Sequence, residues 1–467
     1  MAQVIKSPDI ALQHRRILLL VSLLYILLLP SQLWALPYNH FGVNKDTEKL
    51  SPYPAFHEED SDDEHQGDTI HYQSATPENP DSDPDSRAAE SKRDLELAIS
   101  VFSQAAKVTP ENFLISPDGL FRSLAPVLMG ATGETRRLLQ SYLGDKYSEP
   151  SPAAATATSS AQDDYFVSNT MLLSDELEIK ETYREKVKQV NVDVRENIKF
   201  DDDVSIESLA DELNKLFSEL THGMVPKFCQ ASQWEPDTTV ALINSIYFKA
   251  LWESSFKVRS AGLFTLRDGQ RVTLDKFMLG EISSTQYTSH NDWQAVAVPY
   301  RGAHEMIFVL PPEGIMPHEI SADIIMALFS SLNSKQSCPS CSKITIGLPP
   351  FKVDSDIELS YFLRKTPLRP IFTRHLELGA MLSNGPGVLL NLVRQHCAIE
   401  VNENGTRAAA VTRISTTRGG GGGNQRKSIQ FNRPFLYVLH NKLTNRIIFI
   451  GQILDPRSTS ESDIGYR

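Results

Sequence analysis

Cysteine is scarce: Cys229, Cys338, Cys341 and Cys397 are the only four in 467 residues. A chain of this length builds a core large enough to need no disulfide scaffold. Cys338 and Cys341 have CxxC spacing, but no second such pair completes a zinc site, and they read as an incidental loop pair. The signatures of catalysis are also missing. There is no Gly-x-Ser-x-Gly elbow, no phosphate loop and no His-Glu-x-x-His. Neither an enzyme nor a cofactor or metal is expected. Cations are outnumbered, 46 Lys and Arg against 58 Asp and Glu for a net charge of -12. Phosphate binding needs a strongly basic surface, so nucleic acid is not an expected partner. Arg136-Arg137 and Lys146 are too sparse for a heparin site. No apolar run is long enough to span a bilayer comfortably, and no membrane partner is expected.

What is present divides the chain. Arg15-Arg16 precede the apolar run Ile17–Leu29, followed by Pro30 and Ser31-Gln32-Leu33-Trp34-Ala35. This pattern predicts a secretory signal peptide over 1–35, cleaved after Ala35, and an extracellular protein. Residues 36–94 hold 15 Asp and Glu against 5 Lys and Arg. They carry few large apolar groups and cannot bury enough surface to offset chain entropy. They read as a disordered acidic tail, densest at Glu58–Glu64. The rest of the chain is nearly balanced in charge.

From residue 95 onward the periodicity is that of a folded domain. Leu95–Val108 has helical spacing and Leu120–Met129 reads as a buried helix. Gly130–Thr135 breaks and restarts the chain. Residues 147–163, rich in Ser, Ala and Pro, predict a surface loop. Val167–Leu173 is a strand and Ser205–Leu220 an amphipathic helix ending near Gly223. Thr239–Leu251 is β-rich and almost wholly apolar, as a strand covered on both faces should be. Phe264–Met278 and Ala295–Pro312 read as hairpins.

The most informative stretch is Glu403-Asn404-Gly405-Thr406-Arg407-Ala408-Ala409-Ala410-Val411-Thr412. At period two, Thr406, Ala408, Ala410 and Thr412 share one small-residue face, and Arg407, Ala409, Val411 and Arg413 share the other. Such a strand can slide into an existing sheet with its small face on the core. Gly405 stands where it would hinge. From Glu403 to Phe431 no proline removes a ladder donor. Phe431-Asn432-Arg433-Pro434-Phe435 and the apolar runs Leu436–Leu439 and Ile447–Ile450 follow.

These residues resemble the serpin family. So do Asn112–Pro117, Asn244, Tyr247 and Trp252 of the apolar strand, Val298-Pro299-Tyr300, Ile307–Pro311 and Leu348–Val353. The resemblance covers about 95–456, with 457–467 left as a C-terminal tail. It implies an α+β fold with three β-sheets, about eight or nine helices and an exposed reactive-centre loop over about 403–430. It implies a hinge at Glu403, Gly405, Thr406, Ala408, Ala410 and Thr412. At the sheet opening it implies Asn244, Trp252 and His396, with His396 matched to a family histidine that hydrogen-bonds near Asn244. Gly119 replaces the family's usual serine.

The implied activity is suicide inhibition. A trypsin-like serine protease attacks the loop, forms an acyl-enzyme and is trapped as a covalent 1:1 complex when the loop inserts into the sheet. The protein itself is expected to be a monomer. In the family the cleaved bond lies about fourteen residues beyond the hinge glycine. This points to Arg418–Gly419, with Arg426–Lys427 as the alternative and Arg413 too near the hinge. A non-inhibitory carrier would place bulky or charged residues on the inward hinge face, which is small here. Inhibition of a cysteine protease is left open by the loop sequence. Asn404-Gly405-Thr406 is a glycosylation sequon, expected to be unoccupied or regulatory because a glycan there would obstruct insertion.

Overall fold

The run Val240–Leu251 is buried at nearly every position, and that burial decides its place in the middle of a sheet. The structure, a computed structural model, describes residues 84–147, 163–190, 192–220, 228–259, 261–334, 343–384, 388–406, 427–457 and 460–464. Around the central strand runs a seven-stranded main sheet. Its order is Ser460–Ile464, Phe351–Glu358, Leu390–Asn402, Gly405–Thr406, Val240–Leu251, Asp163–Ser174 and Val192–Ile198. A six-stranded sheet contains Phe113–Ile115, Arg446–Ile453, Phe435–Asn441, His304–Leu310, Trp293–Pro299 and Tyr287–His290. A four-stranded sheet joins Lys427–Gln430, Lys343–Leu348, Phe277–Ser283 and Lys257–Arg259, and Gly262–Thr265 pairs with Arg271–Leu274 as a ribbon. Seven α-helices lie among the described residues.

Three apolar clusters hold these layers together. One surrounds the buried helix Pro117–Gly130 and includes Phe102, Leu124, Leu128, Leu242 and Val438. A second gathers Phe248, Trp252, Phe308 and Tyr437 between the main and six-stranded sheets. The third packs Leu213 and Phe217 of the helix Asp203–Leu220 onto Ile243 and Tyr247 of the central strand. Each buried Leu, Ile or Phe contributes about 1.5–3 kcal/mol. The helix Pro117–Gly130 starts cleanly because Pro117 fills its first turn and Ser116 caps it, accepting from the Gly119 N–H at 3.0 Å.

Several expectations change. The first helix runs Pro84–Val108, so its start lies inside the stretch expected as tail; proline suits a first helical turn and Ala and Glu propagate it. Within the expected C-terminal tail, Ser460–Ile464 pairs in parallel with Phe351–Glu358 at the sheet rim, where an unpaired backbone row invites a strand. Leu348–Val353 is not one strand. Pro349-Pro350 separates Lys343–Leu348 from Phe351–Glu358, which belong to different sheets. The segment expected as a signal peptide, residues 36–83 of the expected acidic tail, Cys338 and Cys341 lie outside the described residues.

Cys229 and Cys397 are buried free thiols. Burial pushes both well above the ordinary thiol range, and the thiolate is the reactive form. Both are therefore expected to resist a thiol-specific chromogenic reagent at pH 8 and to react fully in denaturant, which absorbance titration measures.

Candidate functional site

The site is the seam between two strands of the main sheet. Over Leu390–Ala398 and Val240–Tyr247 these strands pair directly and in parallel. Above that, Gly405–Thr406 wedges between them, antiparallel to both: Gly405 faces Leu251 and Asn402, and Thr406 faces Ala250 and Val401. Two residues of the expected hinge thus stand in the sheet. Gly405 is required by close approach, because a Cβ there would stand 2.1 Å from the Ala250 carbonyl oxygen. Its φ of 154° also disfavours a side chain.

A clamp of aromatic residues fixes this turn. Trp252 is fully buried and stacks on Tyr300 at 4.1 Å between ring centroids. Its indole N–H donates to the Asn402 carbonyl at 2.9 Å, and its backbone N–H donates to that of Asn404 at 3.0 Å. The Phe256 N–H reaches the Glu403 carbonyl at 2.8 Å. Thr406 is fully buried, and its hydroxyl lies 2.6 Å from that of Tyr300. Tyr300 appeared in the sequence only as part of Val298-Pro299-Tyr300. Nothing in its neighbours marked it as the partner of a residue more than a hundred positions away.

Below the wedge a neutral polar network crosses the seam. Gln395 Oε1 accepts from the Ser116 N–H at 2.6 Å, and its Nε2 donates to the Ser116 carbonyl and to Asn244 Oδ1, each at 3.0 Å. Asn244 Nδ2 continues to Asn169 Oδ1 at 2.7 Å, which also accepts from the Ser123 hydroxyl at 3.0 Å. The expected His396 is corrected here. Gln395, not His396, is the partner of Asn244, and the register pairs Gln395 with Asn244 and His396 with Ser245. A one-residue step turns a side chain to the opposite face. His396 lies against Phe228 with ring centroids 5.1 Å apart, its Nε2 2.7 Å from Asp354 Oδ1. Gly119 is matched to this arrangement. A Cβ on it would meet Ile246 Cδ1 at 2.1 Å and Asn244 Oδ1 at 2.6 Å.

Gly405–Thr406 is the last described element before Lys427, which opens a strand of the four-stranded sheet. Ala408, Ala410, Thr412, Arg418, Gly419 and Arg426 lie outside the described residues. Lys427 opens a strand paired with Ile344, its ammonium 3.8 Å from the Tyr287 ring centroid. Among the described residues no cluster of three or more His, Cys, Asp or Glu could hold a metal, and no helix is long and apolar enough to cross a membrane.

Known proteins share this architecture. Neuroserpin of Gallus gallus is 23% identical over 387 residues, covering 79% of this chain and 92% of that protein. Plasminogen activator inhibitor 2 of Homo sapiens is 23% identical over 415 residues, covering 77% and 98%. The native-state crystal structure of tengpin, a thermophilic serpin, superposes with a TM-score of 0.67 at 22% identity, covering 80% of this chain and 95% of that one.

Gln395→Ala removes the bridge that satisfies Ser116 and Asn244. It is expected to lower stability by about 1–3 kcal/mol, read as a lower denaturation midpoint with an unchanged denaturant slope. The model of the family described as Serpin (serine protease inhibitor) matches residues 93–456, and the chain belongs to the serpin family.

Proposed function

We propose that this protein is a secreted suicide inhibitor of a trypsin-like serine protease, trapping it as a 1:1 acyl-enzyme by inserting its loop into the main sheet. One observation carries the reading: Gly405–Thr406 is antiparallel to both strands that, beneath it, pair in parallel with each other. Extending that strand exchanges one parallel ladder for two antiparallel ones, and antiparallel pairing is the more stable per residue. The intact chain forgoes this gain because the loop is tethered at both ends; cutting the loop releases it.

The register supports Arg418 as the specificity residue. Thr406 faces Ala250, and each step onward along the loop moves one residue back along the central strand. Thr416 then meets Val240, where that strand begins. A cut after Arg418 frees a segment just long enough to fill the seam. A cut after Arg413 leaves its lower part unfilled. A cut at Arg426–Lys427 meets the protease at the start of a paired strand. In the same register Ala408, Ala410, Thr412, Ile414 and Thr416 fall opposite Phe248, Ile246, Asn244, Leu242 and Val240, all buried. The small Ala408, Ala410 and Thr412 suit the upper part of that face, Ile414 falls against the apolar Leu242, and Thr412 reaches the polar network at Asn244. On the other face Arg413 falls opposite Ile243 and must extend its stem toward water.

The apolar run Ile17–Leu29 supports export. The family membership and the similarity to a protein named for plasminogen activator inhibition support protease inhibition. Chemistry belongs to the target: its serine attacks the Arg418 carbonyl, the Gly419 amine leaves with a proton from the protease histidine, and the acyl ester is carried into the sheet before water reaches it.

Mixing the protein with trypsin should give an adduct stable on a denaturing gel and a released peptide starting at Gly419. Arg418→Ala should slow adduct formation at least about 100-fold through loss of the buried ion pair. With roughly ten new ladder bonds at about 1 kcal/mol each, the nicked protein should melt roughly 20 °C or more above the intact one. Cleavage with no adduct and no rise in melting temperature indicates a non-inhibitory carrier instead.

A further inference from the structure

A buried charge cluster lies beneath the same sheet. Asp118, in the first turn of the helix Pro117–Gly130, has a fully buried carboxylate. Arg122 Nε donates to its Oδ2 at 2.6 Å, the Tyr165 hydroxyl donates to the same oxygen at 2.7 Å, and Arg446 donates to Oδ1 at 3.3 Å. Burial opposes the charge, but Arg122, then Arg446 and the Tyr165 hydroxyl, outweigh it and hold the carboxyl below the usual carboxylate range. The group is a true anion with three donors.

These donors come from parts of the fold that insertion treats differently. Arg122 shares the helix. Arg446 sits on the six-stranded sheet, which packs against that helix. The N-terminal end of the helix is tied to one side of the seam. Gln395 bonds both the N–H and the carbonyl of Ser116, and the Leu114 N–H donates to Ser355 Oγ at 3.0 Å. Tyr165 lies on the other side, on Asp163–Ser174, which pairs along its length with the central strand. A strand entering the seam separates the two sides by about 4.8 Å, the spacing of neighbouring strands. No hydrogen bond of 2.7 Å survives that displacement. The Ser123–Asn169 bond spans the same plane, but it joins neutral groups, and a bond to an ion is about twice as strong.

We propose that Tyr165 is a positioning residue for loop insertion, its hydroxyl clasping the mobile side of the sheet to Asp118 on the static helix and setting the rate at which the seam opens. The proposal rests on the inhibitory reading above. The clasp exists only in the intact form, so it stabilises the loaded state and the barrier that protects it, and contributes nothing after insertion.

Tyr165→Phe keeps the ring packed beside His304, 6.2 Å away, and removes only the hydroxyl, so the variant folds. Incubated at a temperature below melting, it should lose inhibitory activity by spontaneous insertion about tenfold faster than wild type, the loss expected for one bond to a buried charge. The intact variant should melt below the intact wild type, while the two trypsin-nicked forms melt together. Equal lowering of both forms, or an unchanged rate of activity loss, overturns the proposal. A wild-type chain whose melting temperature does not rise on nicking overturns the inhibitory reading as well, so the two failures are distinguishable.

Discussion

The parallel ladder between Val240–Leu251 and Leu390–Asn402 is the constraint on which the rest of the molecule depends. Two long, buried strands meet side by side although the described elements between them in the chain run through the other sheets before returning to this one at Phe351–Glu358, and Gly405–Thr406 stands at the top of their seam. Parallel neighbours normally arise from a crossover connection. Trp252 and Tyr300 stand at the upper end of the seam, and the Ser116, Gln395, Asn244 and Asn169 network crosses it midway along the ladder.

The polar groups at the seam are arranged by side. Gln395 takes both backbone groups of Ser116, which leaves its amide nitrogen to reach across to Asn244. Gly119 makes room for that reach. Such a cluster gains from each partnered group, because an orphaned buried donor or acceptor costs its full desolvation; among the described residues Asn169 Nδ2 is its one buried donor with no hydrogen-bond partner. That cost makes the seam cooperative: loosening one partner exposes the next.

Much of the fold was legible because long apolar runs have few places to go. Thr239–Leu251 declared a strand covered on both faces, and the structure gives Val240–Leu251. Ser205–Leu220 shows one apolar stripe, and the structure gives Asp203–Leu220. The hairpin at Ala295–Pro312 is seen as Trp293–Pro299 against His304–Leu310. The residues that were not legible are those whose meaning is set by register. Gln395 and His396 are both buried polar residues in a buried strand, and only the pairing with Asn244 distinguishes them. Asp118 reads as an ordinary acidic residue in a helix's first turn; its partners Tyr165 and Arg446 come from distant strands. Tyr300 likewise acquires its role only through its contact with Thr406.

The strand Ser460–Ile464 has a separate consequence. A sheet edge with unsatisfied backbone groups is a template for a neighbour, and here the flank of Phe351–Glu358 is occupied by the chain's own C-terminal residues. A foreign strand approaching from that flank would first have to displace Ser460–Ile464. Shortening the C-terminus would therefore uncover the backbone border of Phe351–Glu358 and offer it to a strand of another molecule.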